Sequence, residues 1–156
     1  MSVKTKISSA GKPTPELRMY LIDTDVISEA RKGQKANAGV RAFFERATKN
    51  GEKLYLSAVT IGELRQGVER IRHRGDLAQA RDLERWLVRV TGEYADAILS
   101  FDEDVAQVWG RLRIPHPENP LDKQIAATAL LNALTMVTRN TAHYAATGVP
   151  LLNPFS

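Results

Sequence analysis

The chain has 156 residues, of which 43% are hydrophobic, and it contains no cysteine. This length predicts one domain with a substantial core, and the lack of cysteine excludes disulfides, thiolate nucleophiles and cysteine-ligated zinc. The formal net charge is +4, but residues 1–18 hold four basic residues against one acid, so the remainder is nearly neutral. No apolar run is long enough for a membrane span or signal segment, and we expect a cytoplasmic protein.

Residues 1–18 are polar, contain glycine and proline and show no periodicity, so we predict a disordered extension ahead of one domain over 19–156. Hydrophobic patterning of that domain predicts strands that alternate with helices. The predicted elements are, in chain order, a strand over 19–22, helices over 25–30 and 38–49, a strand over 54–59, helices over 60–72 and 76–90, a weak strand over 97–100, helices over 102–112 and 120–134, and strands over 135–138 and 149–153.

This alternation of short strands and helices is typical of βαβ units. We therefore predict an α/β fold with a mostly parallel sheet of four or five strands and helices on both faces.

Two polar residues follow predicted strands. Asp23 comes directly after the strand over 19–22, and Asn140 lies two residues beyond the strand over 135–138. Ligands of open parallel sheets bind at the carboxyl ends of the strands, so both residues are candidates for function. A lone aspartate at a strand end also fits a helix N-cap, and for Asp23 this structural alternative stays open.

Glu63 and Asp122 are two further acids near predicted helix starts. Glu63 has capping-box spacing from Thr60, and Asp122 is the third residue after Asn119, so each could merely close a helix N-terminus. Capping does not require, however, that three acids share this placement on elements that one sheet edge brings together. We therefore predict that Asp23, Glu63 and Asp122 converge at one edge of the sheet.

Carboxylates that crowd together repel one another unless a cation lies between them. Hard oxygen ligands without cysteine or paired histidines favour Mg²⁺ or Mn²⁺ over zinc. Such an ion orients a phosphodiester and lowers the pKa of a bound water, which suffices to hydrolyse nucleic acid without a protein nucleophile.

Four segments of the chain read, in order, LIDTDVISEA (21–30), VTIGELRQGV (59–68), PLDKQIAATALLNALTMVTRNTAHY (120–144) and GVPLLNPF (148–155). They resemble the successive motifs of PIN-domain ribonucleases, specifically VapC-type toxins of bacterial toxin–antitoxin modules and their FitB-like relatives. The resemblance spans residues 19–155. It implies a PIN-like nuclease domain in which Asp23, Glu63 and Asp122 bind Mg²⁺ or Mn²⁺ and activate water for RNA cleavage.

The segment after the fourth strand departs from that family pattern. Many relatives have an acid where this chain has Asn140, and His143 follows three residues later. An amide oxygen can still ligate a hard cation or position its water, but it adds no charge. We therefore count Asn140 among the catalytic residues and expect one tightly held ion.

The resemblance also implies partners. We expect an RNA substrate and an antitoxin that inserts an Arg or Lys among the acids, with apolar anchors beside the helix over 60–72. A homodimer is expected as well, and the helical faces around Trp86 and Trp109 are candidate contacts, although burial in the core is the stronger expectation for both.

Other residues near these motifs have two interpretations each. Thr24, Thr138 and Asp25 could orient the acids or satisfy backbone groups. The three histidines share no ligand spacing, so we expect none to bind metal. An arginine-rich stretch could contact phosphate or form a solvated helical face with ion pairs; its arginines are Arg65, Arg70, Arg72, Arg74, Arg81, Arg85 and Arg89.

Two alternative functions remain. The motif of Asp23, Thr24 and Asp25 also resembles haloacid-dehalogenase phosphatases, in which Asp23 would attack phosphorus and Asp25 would act as acid and base. No suitable lysine and paired-acid motif follow it. The second alternative is a non-catalytic PIN-like domain that binds RNA or a regulator, an interpretation that Asn140 keeps open.

Overall fold

The computed structural model describes residues 18–156, together with the backbone of two short strands nearer the N-terminus. These strands, β1 (Lys6–Ile7) and β2 (Pro13–Thr14), pair antiparallel. The rest of the predicted disordered extension over 1–18, apart from Arg18, lies outside the described residues.

The domain is built on a five-stranded sheet in which every pairing is parallel. Its strands are β3 (Met19–Ile22), β4 (Lys53–Ser57), β5 (Ile98–Leu99), β6 (Thr135–Val137) and β7 (Leu151–Leu152). They lie in the order β5-β4-β3-β6-β7, so β3 is central. The α/β fold with a parallel sheet is confirmed, and the residues that follow β3 and β6 share one edge.

In the part of the chain that the structure describes, seven α-helices connect the strands of this sheet. They are α1 (Thr24–Ala30), α2 (Ala38–Lys49), α3 (Ala58–His73), α4 (Leu77–Glu93), α5 (Glu103–Leu112), α6 (Pro120–Leu131) and α7 (Thr141–Tyr144). Among the described residues, none of these helices is long and apolar enough to cross a membrane.

The central strand separates two hydrophobic clusters, because its successive side chains point to opposite faces. Tyr20 and Ile22 pack with residues of α1 to α4 on one face. Leu21 packs on the other face with residues of α6 and with Tyr144 of α7. Helices therefore cover both faces, as the continuous apolar run of β3 predicts.

Several helix boundaries differ from prediction; α4, for example, extends to Glu93 instead of ending at residue 90, and the largest other differences are in α3 and α6. Helix α3 begins at Ala58 rather than Thr60, because the Ser57 hydroxyl accepts a hydrogen bond from the Val59 N–H at 3.0 Å and caps the helix. The capping-box interpretation of Glu63 is therefore wrong. Helix α6 ends at Leu131, three residues early, and a left-handed residue at 133 (φ 54°) turns the chain into β6.

The arginine-rich stretch forms an ion-pair network between α3 and α4. Arg65 and Arg72 both contact Glu84, at 2.6 and 3.0 Å, and both also pair with Glu69. For these two arginines the solvated-face interpretation is confirmed. Trp86 packs against the larger hydrophobic cluster, which agrees with the expected core role.

Candidate active site

Asp23 lies at the carboxyl end of β3 and is almost fully buried, with 4% of its surface exposed. One carboxylate oxygen, Oδ1, accepts the Thr24 N–H at 2.8 Å, so Asp23 does cap α1. The other oxygen, Oδ2, accepts the hydroxyls of Thr138 at 2.8 Å and Tyr144 at 3.0 Å. Capping thus uses only one of two oxygens, and three donors fix the orientation of the carboxylate.

Burial raises the pKa of Asp23, and the nearby charge of Asp122 raises it further, against the opposing effect of the three hydrogen bonds. Burial also raises the pKa of Tyr144, which keeps its hydroxyl protonated and able to donate. An acid with this environment tolerates its negative charge best when a cation lies beside it.

Glu63 is on α3, beyond its first turn, and is partly buried. Its Oε1 accepts the Thr24 hydroxyl at 2.7 Å, and the hydroxyls of Thr24 and Thr60 are hydrogen-bonded at 3.1 Å. Burial raises the pKa of Glu63, and the charges of Asp23 and Asp122 add to that effect, while the Thr24 hydroxyl opposes it. Thr24, the first residue of α1, therefore connects the helix that Asp23 caps to Glu63 on α3.

Asp122 is the third residue of α6, and Asn119 makes no side-chain cap on this helix. The Asp122 Oδ2 atom is 2.8 Å from Nδ1 of His143, and a quarter of the Asp122 side chain is exposed. Because a carboxylate can only accept, the imidazole donates from Nδ1. The charge of Asp122 raises the pKa of both Asp23 and Glu63, so the three predicted acids interact electrostatically at one edge of the sheet.

A fourth acid, Asp25, lies beside this group. Its Oδ2 accepts the Arg139 N–H at 3.0 Å, whereas its buried Oδ1 has no hydrogen-bond partner. Burial, followed by the charge of Asp23, raises the pKa of Asp25 to about 6. Asp25 ties the segment after β6 to α1 and leaves one oxygen free within the acidic cluster.

Asn140 is exposed, directly precedes α7, and its side chain does not cap that helix. Its backbone N–H donates to the Thr138 hydroxyl at 3.0 Å, and that hydroxyl in turn donates to Asp23. Asn140 thus lies just beyond β6, as the sequence predicts, and two hydrogen bonds through the Thr138 hydroxyl connect its backbone to Asp23. Its catalytic role stays a prediction.

The donors fit a hard divalent cation. All are carboxylate or amide oxygens, the charge of Asp122 raises the pKa of Asp23, Asp25 and Glu63, and one buried oxygen of Asp25 lacks a partner. Within residues 18–156, no group of three or more acids or histidines is arranged so that its side chains could hold a metal ion between them. Mg²⁺ usually keeps several waters and takes only one or two carboxylates, so a hydrated ion needs fewer direct ligands.

A groove of about 420 Å³ lies between α3, α4 and α1. Thr24 and Glu63 are among its lining residues, and Trp86 lines it on α4. The groove is lined with apolar residues and with three arginines, namely Leu64, Val68, Ile71, Leu83, Arg31, Arg70 and Arg74. An extended or helical segment with apolar anchors fits such a surface.

Sequence reasoning missed two residues that shape the site. Tyr144 is fully buried and bonds Asp23, yet a four-residue helix offers no periodicity that would reveal its face. Lys123 is also buried, and its ammonium group donates to the carbonyls of His116 and Glu118. The sequence indicates a role for Lys123 near the site only through its position next to Asp122. Lys123 braces the loop before α6.

Comparison with known proteins gives consistent results. The PIN domain family matches residues 20–149. The chain is 35% identical to toxin FitB of Neisseria gonorrhoeae over 88% of this chain and 99% of that protein. It is 33% identical to plasmid stability protein StbB of Pseudomonas syringae pv. tomato over 88% of this chain and 99% of that protein. The identity is also 33% to VapC ribonuclease Y4jK of Sinorhizobium fredii, over 88% of this chain and 98% of that protein.

Solved structures agree. A structure of FitAB bound to the IR36 DNA fragment has a TM-score of 0.71 and 30% identity, covering 88% of this chain and 96% of that one. A structure of FitAcB from Neisseria gonorrhoeae has a TM-score of 0.68 and 33% identity, covering 87% of this chain and 98% of that one. The phosphatase alternative is therefore wrong, and the chain belongs to the PIN domain family.

Proposed function

We propose that this protein is the toxin of a type II toxin–antitoxin module and acts as a Mg²⁺- or Mn²⁺-dependent endoribonuclease. The observation that supports the proposal is that Thr24 donates to both Asp23 and Glu63, through its N–H and its hydroxyl, while the nearby charge of Asp122 raises the pKa of both acids. The names of the relatives, which include a toxin and a ribonuclease, support it. The proposed site of action is the cytoplasm, where RNA and an antitoxin are made.

Asp23, Glu63 and Asp122 would hold the ion, which when bound orients a phosphodiester and lowers the pKa of a water. Asp23 is held by Thr24, Thr138 and Tyr144, so its carboxylate cannot rotate away when substrate enters.

Glu63 and Asn140 complete the proposed chemistry. The Thr24 hydroxyl donates to Oε1 of Glu63 at 2.7 Å and would hold that carboxylate in place as a ligand of the ion. Asn140 offers an amide at the exposed side of the site, where it can position water or a phosphate oxygen.

The proposed partners follow from the groove. An antitoxin segment with apolar side chains would lie along α3, and an Arg or Lys at its end would enter among the carboxylates and replace the charge of the ion. Arginines at the groove could instead contact RNA phosphates when the antitoxin is absent. A homodimer remains part of the proposal.

The proposal is tested by incubating the purified protein with mixed RNA in Mn²⁺, in Mg²⁺ and in EDTA. We expect cleavage only with metal, and we expect Asp23→Asn and Asp122→Asn to abolish it while the far-UV circular dichroism spectrum is retained. Asp82→Asn on exposed α4 is the control and should cut like the wild type. Metal-dependent binding of RNA without any cleavage would favour the non-catalytic alternative.

A further inference from the structure

Helix α7 is a single turn that follows β6, and two consecutive side chains on it reach two different acids. His143 Nδ1 is 2.8 Å from Asp122 Oδ2, and the Tyr144 hydroxyl donates to Asp23 Oδ2 at 3.0 Å. Asp23 ends the central strand, whereas Asp122 belongs to α6, so α7 is hydrogen-bonded to acids on two separate elements.

Two residues just after β6 also donate hydrogen bonds to the acids. The Thr138 hydroxyl donates to Asp23, and the Arg139 N–H donates to Asp25. With His143 and Tyr144, four donors within seven residues bind three carboxylates. A chain connection between a strand and a helix requires none of these four hydrogen bonds.

The position of α7 is itself fixed. Tyr144 is completely buried and packs with Leu21, Ile125 and Ala126 on one face of the sheet. Its ring therefore anchors the helix in the core while its hydroxyl reaches the site. His143, by contrast, has nearly half of its side chain exposed and contributes its contact from the solvent side.

We propose that α7 is a brace in which His143 and Tyr144 are positioning residues that set the orientation of Asp122 relative to Asp23. The proposal rests on the function proposed above, because the two acids must bind one ion. Negatively charged side chains repel and would otherwise turn apart, Asp122 most easily because part of its side chain is exposed. The hydrogen bonds from His143 and Tyr144 oppose that rotation.

Loss of groups that orient metal ligands usually lowers metal affinity about 10–100-fold. We therefore expect Tyr144→Phe and His143→Ala each to raise the Kd for Mn²⁺ by about tenfold or more. The measurement is Mn²⁺ titration of the full chain by electron paramagnetic resonance or calorimetry, without RNA. This readout reports on the site independently of catalysis.

Matched controls separate positioning from general stability. Tyr20→Phe removes another buried hydroxyl, which donates to Glu52 at 3.2 Å, and His116→Ala removes an exposed imidazole beside Glu118. Both controls should bind Mn²⁺ like the wild type. His143→Asn retains a donor where Nδ1 lies, so it should recover much of the affinity that His143→Ala loses.

The outcomes are distinct. Wild-type affinity for Mn²⁺ in both Tyr144→Phe and His143→Ala would overturn the brace while leaving the proposed function intact, and so would equal losses in the two controls. Wild-type protein that binds no Mn²⁺ would overturn the proposed function and the brace together. If Tyr144→Phe does not fold, the partly exposed His143 variants still decide the question.

Discussion

Asp25 should make the metal-free protein less stable at neutral pH, and Asp25→Asn should remove that effect. The pKa of Asp25 rises from 3.8 in the unfolded chain to about 6 in the fold. The folded state therefore binds this proton more tightly, so stability is lost as pH rises through this range and is regained as pH falls toward 4. The asparagine keeps an oxygen for the Arg139 N–H but has no charge at any pH.

The size of the effect follows from the pKa change. A rise from 3.8 to about 6 corresponds to about 3 kcal/mol, which partial exposure and solvent screening reduce to ~1–2 kcal/mol. We therefore expect the free energy of unfolding of Asp25→Asn, measured relative to that of the wild type, to be ~1–2 kcal/mol higher at pH 8 than at pH 4.5. For a chain of this size, each kcal/mol corresponds to a change in Tm of about 2–4 °C.

The assay is urea unfolding in EDTA at pH 4.5 and pH 8 for both proteins. Any fixed cost of the buried amide affects both pH values equally, so the informative quantity is the change in the stability difference. Asp82→Asn, at an exposed position, should show no such change. A stability difference between Asp25→Asn and wild type that is the same at both pH values would refute the reasoning.

Three further predictions concern the fold and the site. Gly39→Ala should lower the Tm measured by circular dichroism, because a Cβ would lie 2.2 Å from the Pro154 carbonyl oxygen. An unchanged Tm would show that the C-terminal segment can move away from residue 39 without loss of stability. Ser57→Ala should cost about 1 kcal/mol in urea unfolding through loss of the α3 cap, and no loss would mean that another group caps it. Mn²⁺ should raise the Tm of the wild type but not of Asp23→Asn, and equal increases would argue against this site.

Much of the fold is predictable because its signals are local. The apolar run of β3 ends at a polar residue, so both the strand and the position of Asp23 can be inferred. The start of α3 is less certain, since Ser57 and Thr60 are both good caps in the sequence. The helix starts where β4 ends, at Ser57, and the end of β4 is set by its pairing with β3 and β5.

The positions of the acids could be predicted from the sequence, whereas the side chains that donate hydrogen bonds to them could not. The convergence of Asp23 and Asp122 follows from parallel topology, whereas the contacts of His143 and Tyr144 depend on where one short turn packs against the sheet. Histidine spacing likewise could not show that His143 binds a carboxylate. The unpartnered oxygen of Asp25 arises from burial by α1 and the segment after β6, which no local pattern encodes.

Anomalous diffraction from crystals of the wild-type protein grown with Mn²⁺ tests the central claim most directly. We predict one strong peak among Asp23, Glu63 and Asp122, at direct or water-mediated ligation distance from their carboxylate oxygens. Crystals of Asp122→Asn grown in the same way should show that peak weakened or absent. A wild-type map with no peak at these acids, or with the Mn²⁺ bound elsewhere, would contradict a metal-dependent nuclease site at this edge of the sheet.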